Sequence, residues 1–196
     1  MFTGIIQEVG HVLDAHPVDG GLRLTVETPK SWEGLQLGES ISTNGVCLTV
    51  DKIGSRTYDC IVIPETLEVS TFGRTVPKRI NLERSMSVGS LLGGHFVYGH
   101  VDGIGKVRSV AKQNGYDIYF DYSTELLIYK GSVAINGVSL TVAEVDAAGF
   151  RVSLVPHTLK QTNLGQVEPG DMVNIEDDVI GKYIQKLMGS KSHAES

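Results

Sequence analysis

The sequence ISTNGVCLTV at residues 41–50 returns as VAINGVSLTV at residues 133–142, with six of the ten positions identical. Three further blocks recur in the same order at nearly the same spacing: GIIQEVGHV (4–12) as GHVDGIGKV (99–107), IPETL (63–67) as VPHTL (155–159), and INLE (80–83) as VNIE (173–176). Blocks repeated at near-constant spacing indicate a duplicated structural unit. Each unit has about 90 residues, which is enough for a small barrel or sandwich.

An Asn-Gly pair lies between alternating segments in each copy, at Asn44-Gly45 and Asn136-Gly137. Such pairs favour two-residue hairpin turns between strands. Because successive strand residues point to opposite faces, every second residue after the turn shares a face. The apolar set is predicted to enter a barrel core, and the small polar set is predicted to line an outer groove. The apolar set is Val46, Leu48, Val50, Val138, Leu140 and Val142, and the polar set is Cys47, Thr49, Ser139 and Thr141.

Composition and charge favour an all-β globular protein and disfavour several other classes of protein. Glycine makes up 23 of the 196 residues, and the chain is 41% hydrophobic and 20% charged, which is typical of a turn-rich, all-β globular chain. The net charge of −6 argues against a nucleic-acid binder, which normally has a basic face. No run approaches the ~18 apolar residues of a membrane span, and the first residues do not form a signal peptide. With only two cysteines, we expect a reduced, cytoplasmic protein without a disulfide framework.

Short helices are predicted where proline can occupy a first helical turn, at Pro64 and at Pro156. A further helix is predicted over Thr124–Tyr129, and a last one over Val179–Met188. In the last helix the spacing i, i+3, i+4, i+7 produces an apolar stripe that must be buried, either on its own barrel or on copies of itself. The stripe consists of Ile180, Tyr183, Ile184 and Leu187.

Two histidines stand in GGHFVYGH, at His95 and His100. A metal site is disfavoured, because residues five apart on a strand face opposite sides and no further ligand follows at suitable spacing. His95 is read as a hydrogen-bonded structural histidine. His100 takes the place of Ile5 in the repeat, so one half carries a titratable group where the other has an aliphatic one.

Polar residues occupy equivalent positions in the two copies. Cys47 corresponds to Ser139, Thr49 to Thr141, and Glu65 to His157. Together these pairs predict two related polar pockets with unlike chemistry, suited to two similar ligands. Because no arginine-rich phosphate cradle accompanies them, a neutral, hydrogen-bonding heterocycle is the expected ligand.

The opening MFTGII, the pair NGVCLTV and NGVSLTV, the pair PETL and PHTL, and GGHFVYGHVDG together resemble the riboflavin synthase family of alpha-chain type. The resemblance covers essentially residues 1–187. It implies an all-β fold of two tandem six-stranded Greek-key β-barrels, at residues 1–94 and 95–178, followed by a C-terminal α-helix and tail at 179–196. The helix is expected to assemble a homotrimer, with each active site between the first barrel of one subunit and the second barrel of a neighbour.

The family reaction is a dismutation of two molecules of 6,7-dimethyl-8-ribityllumazine, and the enzymes are transferases. One molecule donates a four-carbon unit to the other, which yields riboflavin and 5-amino-6-ribitylamino-2,4(1H,3H)-pyrimidinedione. The resemblance implies no metal and no organic cofactor. An association with lumazine synthase, which makes the substrate, is a further expectation.

The resemblance also implies the site residues. His100, with an ordinary pKa of about 6.5, is expected to shuttle a proton of the acidic 7-methyl group. Ser139, Thr141 and Cys47 complete the expected catalytic set, and Thr66 and Thr158 are expected to hold the ribityl or pyrimidine groups. In the first barrel the pocket is expected to comprise Gly4, Ile5, Ile6, Cys47, Leu48, Thr49, Ile61, Val62, Ile63, Pro64, Glu65 and Thr66. In the second it is expected to comprise Gly99, His100, Val101, Lys130, Ser139, Leu140, Thr141, Leu154, Val155, Pro156, His157, Thr158 and Leu159.

A non-catalytic function is the alternative. Antenna-type lumazine proteins share the family's fold and bind a lumazine or flavin without converting it. Their second-barrel motifs are degraded, whereas His100, Ser139 and Thr141 are present here. The sequence therefore favours catalysis.

Overall fold

The computed structural model describes residues 1–113 and 115–191. Both halves consist mainly of strands, and the described residues also form three α-helices, two between strands and one after the last strand. The first half contains β1 (Glu8–Val18), β2 (Gly21–Glu27), β3 (Ser40–Thr43), β4 (Val46–Thr49), β5 (Lys52–Ile53), β6 (Thr57–Val62), α1 (Pro64–Val69) and β7 (Arg79–Arg84). The second contains β8 (Gly103–Ala111), β9 (Asp117–Asp121), β10 (Ser132–Ile135), β11 (Val138–Val145), β12 (Gly149–Ser153), α2 (Pro156–Gln161), β13 (Met172–Asp177) and α3 (Val179–Lys191).

Both halves have the same antiparallel strand order. The second is a closed barrel in the order β10-β11-β12-β9-β8-β13, and the first runs β4-β3-β7-β1-β2-β6-β5. The strands β4 and β5 are two parts of one barrel position, because β4 pairs with β3 and β5 pairs with β6. In the second half the same position is the single strand β11, which stays continuous through an irregularity between Val142 and Glu144. The predicted pair of similar six-stranded β-barrels is therefore confirmed, with one strand of the first interrupted.

Each barrel is filled by its own apolar side chains. Leu24, Ile41 and Ile80 lie in the first core, and Phe120, Phe150 and Ile175 lie in the second, all fully buried. The predicted alternation holds, since Val46, Leu48, Val138 and Val142 are buried while Thr49 and Thr141 are exposed. The pattern of period two thus separates the core face from the outer face of each strand.

The two barrels meet at their Asn-Gly turns. A Cβ atom on Gly45 would lie 2.6 Å from the backbone nitrogen of Gly137, so the turns pack directly on each other. Around them the barrels exchange matching hydrogen bonds: the Asn81 side-chain amide donates to the Asn136 carbonyl at 2.9 Å, and that of Asn174 donates to the Asn44 carbonyl at 2.8 Å. These equivalent bonds relate the two barrels by an approximate twofold axis.

The helices correspond only in part to the prediction. Helices α1 and α2 begin at Pro64 and Pro156 as expected, whereas Thr124–Tyr129 is irregular, with turns but no helix. There Leu127 enters the second core, while Lys130 adopts a φ of 63° that ends any helical path. Helix α3 runs to Lys191, beyond the predicted Met188, and the tail at 192–196 lies outside the described residues. Within the described chain, none of the helices is both long and apolar enough to cross a bilayer.

Candidate functional site

The first pocket is an open cavity of about 560 Å³ on the outer face of the first barrel. Strand β4 supplies Cys47 and Thr49, and the end of β6 with the start of α1 supplies Ile61, Ile63 and Thr66. Six of the expected pocket residues therefore come together here. The complete lining is Leu37, Gly38, Cys47, Leu48, Thr49, Val50, Asp51, Ile61, Ile63 and Thr66.

The second barrel presents the equivalent face with different groups. On β11, Ser139 is half-buried and Thr141 is exposed, and across the groove Thr158 at the start of α2 is half-buried. Val155, the repeat partner of Ile63, is exposed at the end of the preceding loop. The two faces thus have equivalent strand positions, since Cys47 pairs with Ser42 and Ser139 pairs with Ala134, and they differ where a thiol is replaced by a hydroxyl.

Each barrel contributes a segment to the other barrel's face. The Cys47 amide donates to the Gly99 carbonyl at 2.8 Å, and the Ser139 amide donates to the Gly4 carbonyl, also at 2.8 Å. Ile6 accordingly packs on the core of the second barrel, and Val101 packs on the core of the first. The expected grouping of Gly4–Ile6 with the first pocket and Gly99–Val101 with the second was therefore wrong, because the segments cross between the barrels.

The crossing requires glycine at both contact points. Gly4 and Gly99 each have a φ of 75°, in the left-handed region that favours glycine. A Cβ on Gly4 would lie 2.5 Å from the Ser139 Cβ, and a Cβ on Gly99 would lie 2.6 Å from the Cys47 Cβ. The backbone can approach the two strands only because these side chains are absent.

Two buried glutamates hold the crossing segments. One Glu83 oxygen accepts from the Thr3 amide and hydroxyl, at 2.8 and 2.7 Å, and the other accepts from the Gly4 amide at 3.0 Å. Glu176 accepts from the amides of Tyr98, Gly99 and His100 at 2.7, 2.8 and 3.1 Å. Burial raises the pKa of both carboxyls above the usual range, against the opposing effect of these hydrogen bonds.

The histidine that contacts Ser139 is His95. Its Nδ1 atom lies 2.7 Å from the Ser139 hydroxyl oxygen, and Gly94 packs against the same serine. Burial lowers the pKa of His95, although Asp178 nearby opposes the shift, so the imidazole is neutral at neutral pH. A neutral imidazole whose Nδ1 accepts from a hydroxyl is a proton acceptor for that hydroxyl.

His100 lies elsewhere. It directly follows Gly99, whose carbonyl accepts from the Cys47 amide, and its side chain is exposed with its ring 5.8 Å from that of Tyr98. Lys130 is exposed near the second groove, with its Nζ 5.2 Å from the centroid of the Tyr129 ring. The role expected for His100 stays a prediction, and its position associates it with the first pocket.

Some expected pocket residues face away from both grooves. The side chains of Val62 and Leu154 belong to the barrel cores, because the strand alternation turns them inward. Leu140 and Leu159 also pack against the second core. Pro64, Glu65, Pro156 and His157 lie on the exposed first turns of α1 and α2, and Pro64 and Glu65 do not line the first pocket.

The expected hydrogen bond of His95 is present, but the sequence did not identify its partner, because Ser139 lies 44 positions later. Sequence reasoning also did not single out Glu83 or Glu176. The glutamates end the repeated blocks INLE and VNIE, so the repeat itself contained the signal. A buried acidic residue at the same place in both copies indicates a shared backbone partner.

Comparison with known proteins gives matches over both barrels. The sequence profile of the family described as "Lumazine binding domain" matches residues 3–85 and 98–178, one match for each barrel. The riboflavin synthase of Actinobacillus pleuropneumoniae is 40% identical, with 97% of this chain and 91% of that protein covered. The riboflavin synthase of Bacillus subtilis is 37% identical, covering 96% and 90%. That of Mycobacterium tuberculosis H37Rv is 39% identical, covering 97% and 99%.

Solved structures of a ligand-binding protein have the same fold. The crystal structure of LumP complexed with 6,7-dimethyl-8-(1'-D-ribityl) lumazine superimposes with a TM-score of 0.81 at 27% identity, covering 90% of this chain and 98% of LumP. LumP complexed with riboflavin also superimposes with a TM-score of 0.81.

Proposed function

Because this chain belongs to the riboflavin synthase family of lumazine-binding proteins, we propose that its two unlike pockets each hold one molecule of 6,7-dimethyl-8-ribityllumazine. The chain converts the pair by four-carbon transfer into riboflavin and 5-amino-6-ribitylamino-2,4(1H,3H)-pyrimidinedione. The atoms of two substrate molecules equal those of the two products. The reaction therefore consumes no external oxidant, reductant or co-substrate.

One observation carries the proposal: equivalent positions on the outer faces of β4 and β11 carry different reactive groups. Cys47 and Thr49 face the first groove, while Ser139, hydrogen-bonded to His95, and Thr141 face the second. Two identical molecules must take unequal roles in a dismutation, as donor and acceptor. A duplicated scaffold that has diverged at such positions provides two similar binding sites with unequal chemistry.

Ser139 and His95 form the proton-accepting pair. The 7-methyl group of the lumazine is acidic because its carbanion delocalises into the ring. In the tautomer with the proton on Nε2, Nδ1 of neutral His95 accepts from the Ser139 hydroxyl, 2.7 Å away, and makes the serine oxygen a better base toward a group held in the second groove. Holding the two rings face to face contributes most of the rate, since positioning of this kind can contribute roughly 7–11 kcal/mol.

The substrates meet at a boundary between subunits. Apolar side chains rim both grooves and are half or more exposed in the isolated chain, among them Ile63 and Val155. The stripe of α3 is equally exposed, with Tyr183 at 68% and Leu187 at 65%. Large exposed apolar patches mark interaction surfaces. A homotrimer assembled through α3 would cover the stripe and place a first groove against a neighbour's second groove.

The cellular compartment and a partner protein are two further parts of the proposal. Cys47 and Cys60 are free thiols, as expected of a chain in the reducing cytoplasm. Association with lumazine synthase is a separate prediction, tested by cosedimentation of the two purified proteins.

The direct test is incubation of the protein with 6,7-dimethyl-8-ribityllumazine. We expect riboflavin and the pyrimidinedione to form in equal amounts. Chromatography with absorbance detection measures both products. Ser139→Ala is expected to bind the lumazine with little change and to form riboflavin far more slowly. If the lumazine binds to the wild-type chain but is recovered unchanged, the chain is a lumazine-binding protein without synthase activity.

A further inference from the structure

The segments 3–5 and 98–100 each leave their own half of the chain and lie against the other barrel. Segment 98–100 contacts the first barrel at Cys47, and segment 3–5 contacts the second barrel at Ser139. Each segment is held by a glutamate of its own half of the chain, and not by the barrel that it contacts. Glu176 on β13 of the second barrel holds segment 98–100, and Glu83 on β7 of the first holds segment 3–5.

The contacts of Glu176 are extensive for one side chain. It is 4% exposed, and its two oxygens accept three successive backbone amides, those of Tyr98, Gly99 and His100. Hydrogen bonds from backbone amides to a carboxylate are charge-assisted and stronger than those between neutral groups. Three of them in a row fix the path of the segment that touches Cys47.

Glu83 repeats this arrangement at the related position. It is 2% exposed and accepts the Thr3 amide, the Thr3 hydroxyl and the Gly4 amide. The hydroxyl takes the place of one amide, so the number of hydrogen bonds is the same at both glutamates. Each carboxylate is thus a matched control for the other.

We propose that the glutamates are crossed positioning residues: Glu176 of the second barrel shapes the Cys47 pocket of the first, and Glu83 of the first barrel shapes the Ser139 pocket of the second. The inference rests on the proposed function, in that both pockets hold substrate. Neither carboxylate touches the reacting atoms. Each acts through the backbone segment that it holds against the other barrel's strand.

The substitution Glu176→Gln removes this support with almost no change in shape. An amide has one acceptor oxygen in place of two, and its NH₂ group is a donor. Whichever way the amide turns, at least one backbone N–H of segment 98–100 faces another donor. The segment should therefore lift from Cys47 more often than in the wild-type chain.

The experiment measures how fast each pocket thiol reacts with iodoacetamide in the folded protein, with peptide mass spectrometry to locate the label. Cys47 reports on the first pocket, and the variant Ser139→Cys provides a thiol in the second. Buried Cys60 reports on general unfolding, because it is fully inaccessible in the native structure. Far-UV circular dichroism checks that each variant is folded.

We expect Glu176→Gln to raise the labelling rate at Cys47 about 2- to 10-fold, the range for loss of one hydrogen bond, with position 139 unchanged. Glu83→Gln is expected to do the reverse. In turnover assays each variant should raise KM more than it lowers kcat. Glu176→Asp keeps both acceptor oxygens on a shorter side chain, so we expect it to raise labelling at Cys47 less than Glu176→Gln does. If Glu176→Gln does not fold, this smaller increase at Cys47, with position 139 unchanged, is the test.

The proposal is overturned if each glutamine variant affects the thiol of its own barrel, or if both variants raise labelling at both positions and at Cys60 equally. The labelling pattern does not depend on turnover. A protein that binds lumazine without converting it would refute the proposed function and leave the crossed pattern standing. An active protein without the crossed pattern would refute this inference alone.

Discussion

The imidazole Nδ1 of His95 lies 2.7 Å from the hydroxyl oxygen of Ser139, although one residue precedes the second barrel and the other is on β11 within it. Burial lowers the pKa of His95, so the pair places a neutral imidazole beside a hydroxyl group. The Ser139 hydroxyl in the second groove therefore has an imidazole as hydrogen-bond partner. Among the described residues, no imidazole is hydrogen-bonded to the Cys47 thiol in the first groove.

Replacing His95 by glutamine should lower kcat about 100-fold or more, since general-base assistance contributes at least that factor in many enzymes. The base must be neutral to work, and its pKa lies below the ordinary value. The wild-type rate should therefore persist as the pH falls toward about 6.5 and decline only below that, while the variant lacks this acid limb. A pH series of kcat measures both effects. The control is His16→Gln on the exposed part of β1, and an unchanged kcat for His95→Gln would contradict the assignment.

Alanine at Gly4 should destabilise the fold more than alanine at a glycine with free space. Gly4 and Gly20 both have positive φ, but a Cβ at Gly20 would meet nothing within 4 Å, whereas at Gly4 it would overlap Ser139. We expect Gly20→Ala to cost about 1 kcal/mol and Gly4→Ala about 2–5 kcal/mol in the free energy of unfolding. Urea denaturation measures the difference. Equal costs would show that segment 3–5 does not contact β11 closely in solution.

The interface between the barrels should depend on its buried asparagines. Asn174 donates to the Asn44 carbonyl and accepts from the Thr71 amide at 2.7 Å, so Asn174→Ala leaves two buried groups without partners. Each such group costs about 1–3 kcal/mol, which urea denaturation would detect. Gln166→Ala removes an exposed hydrogen bond to Arg79 and should cost less than about 0.5 kcal/mol. Similar losses for both variants would argue against a tightly packed interface.

A charge in the apolar stripe of α3 should dissociate the assembly. Ile184→Glu introduces a carboxylate in the centre of the stripe, and burying it between subunits would be unfavourable. Sedimentation should show a shift toward monomer, with lower activity and an unchanged circular dichroism spectrum. The control Lys186→Gln changes the opposite side of the same helix. Ile184→Glu that remains assembled and active would place the stripe outside the subunit contact.

Much of the fold could be predicted from local patterns. The Asn44-Gly45 and Asn136-Gly137 turns, the inward Val46 and Leu48, and the helix starts at Pro64 and Pro156 all follow from turn chemistry, strand periodicity and the fixed φ of proline. The helix predicted over Thr124–Tyr129 failed because Leu127 is drawn into the second core. Burial of that side chain outweighed the weak local preference for a helix.

The sequence by itself determined that the chain is a duplicated β-structure with two unlike polar faces. Repeats can be found by comparing the sequence with itself, and period-two alternation can be found within each short segment. Only the tertiary structure decided which segment completes which face. Segments 3–5 and 98–100 cross to the opposite barrels, and His95 lies against Ser139. These pairings depend on how two barrels pack around an approximate twofold axis, and residues 40 or more positions apart carry no local pattern that records it.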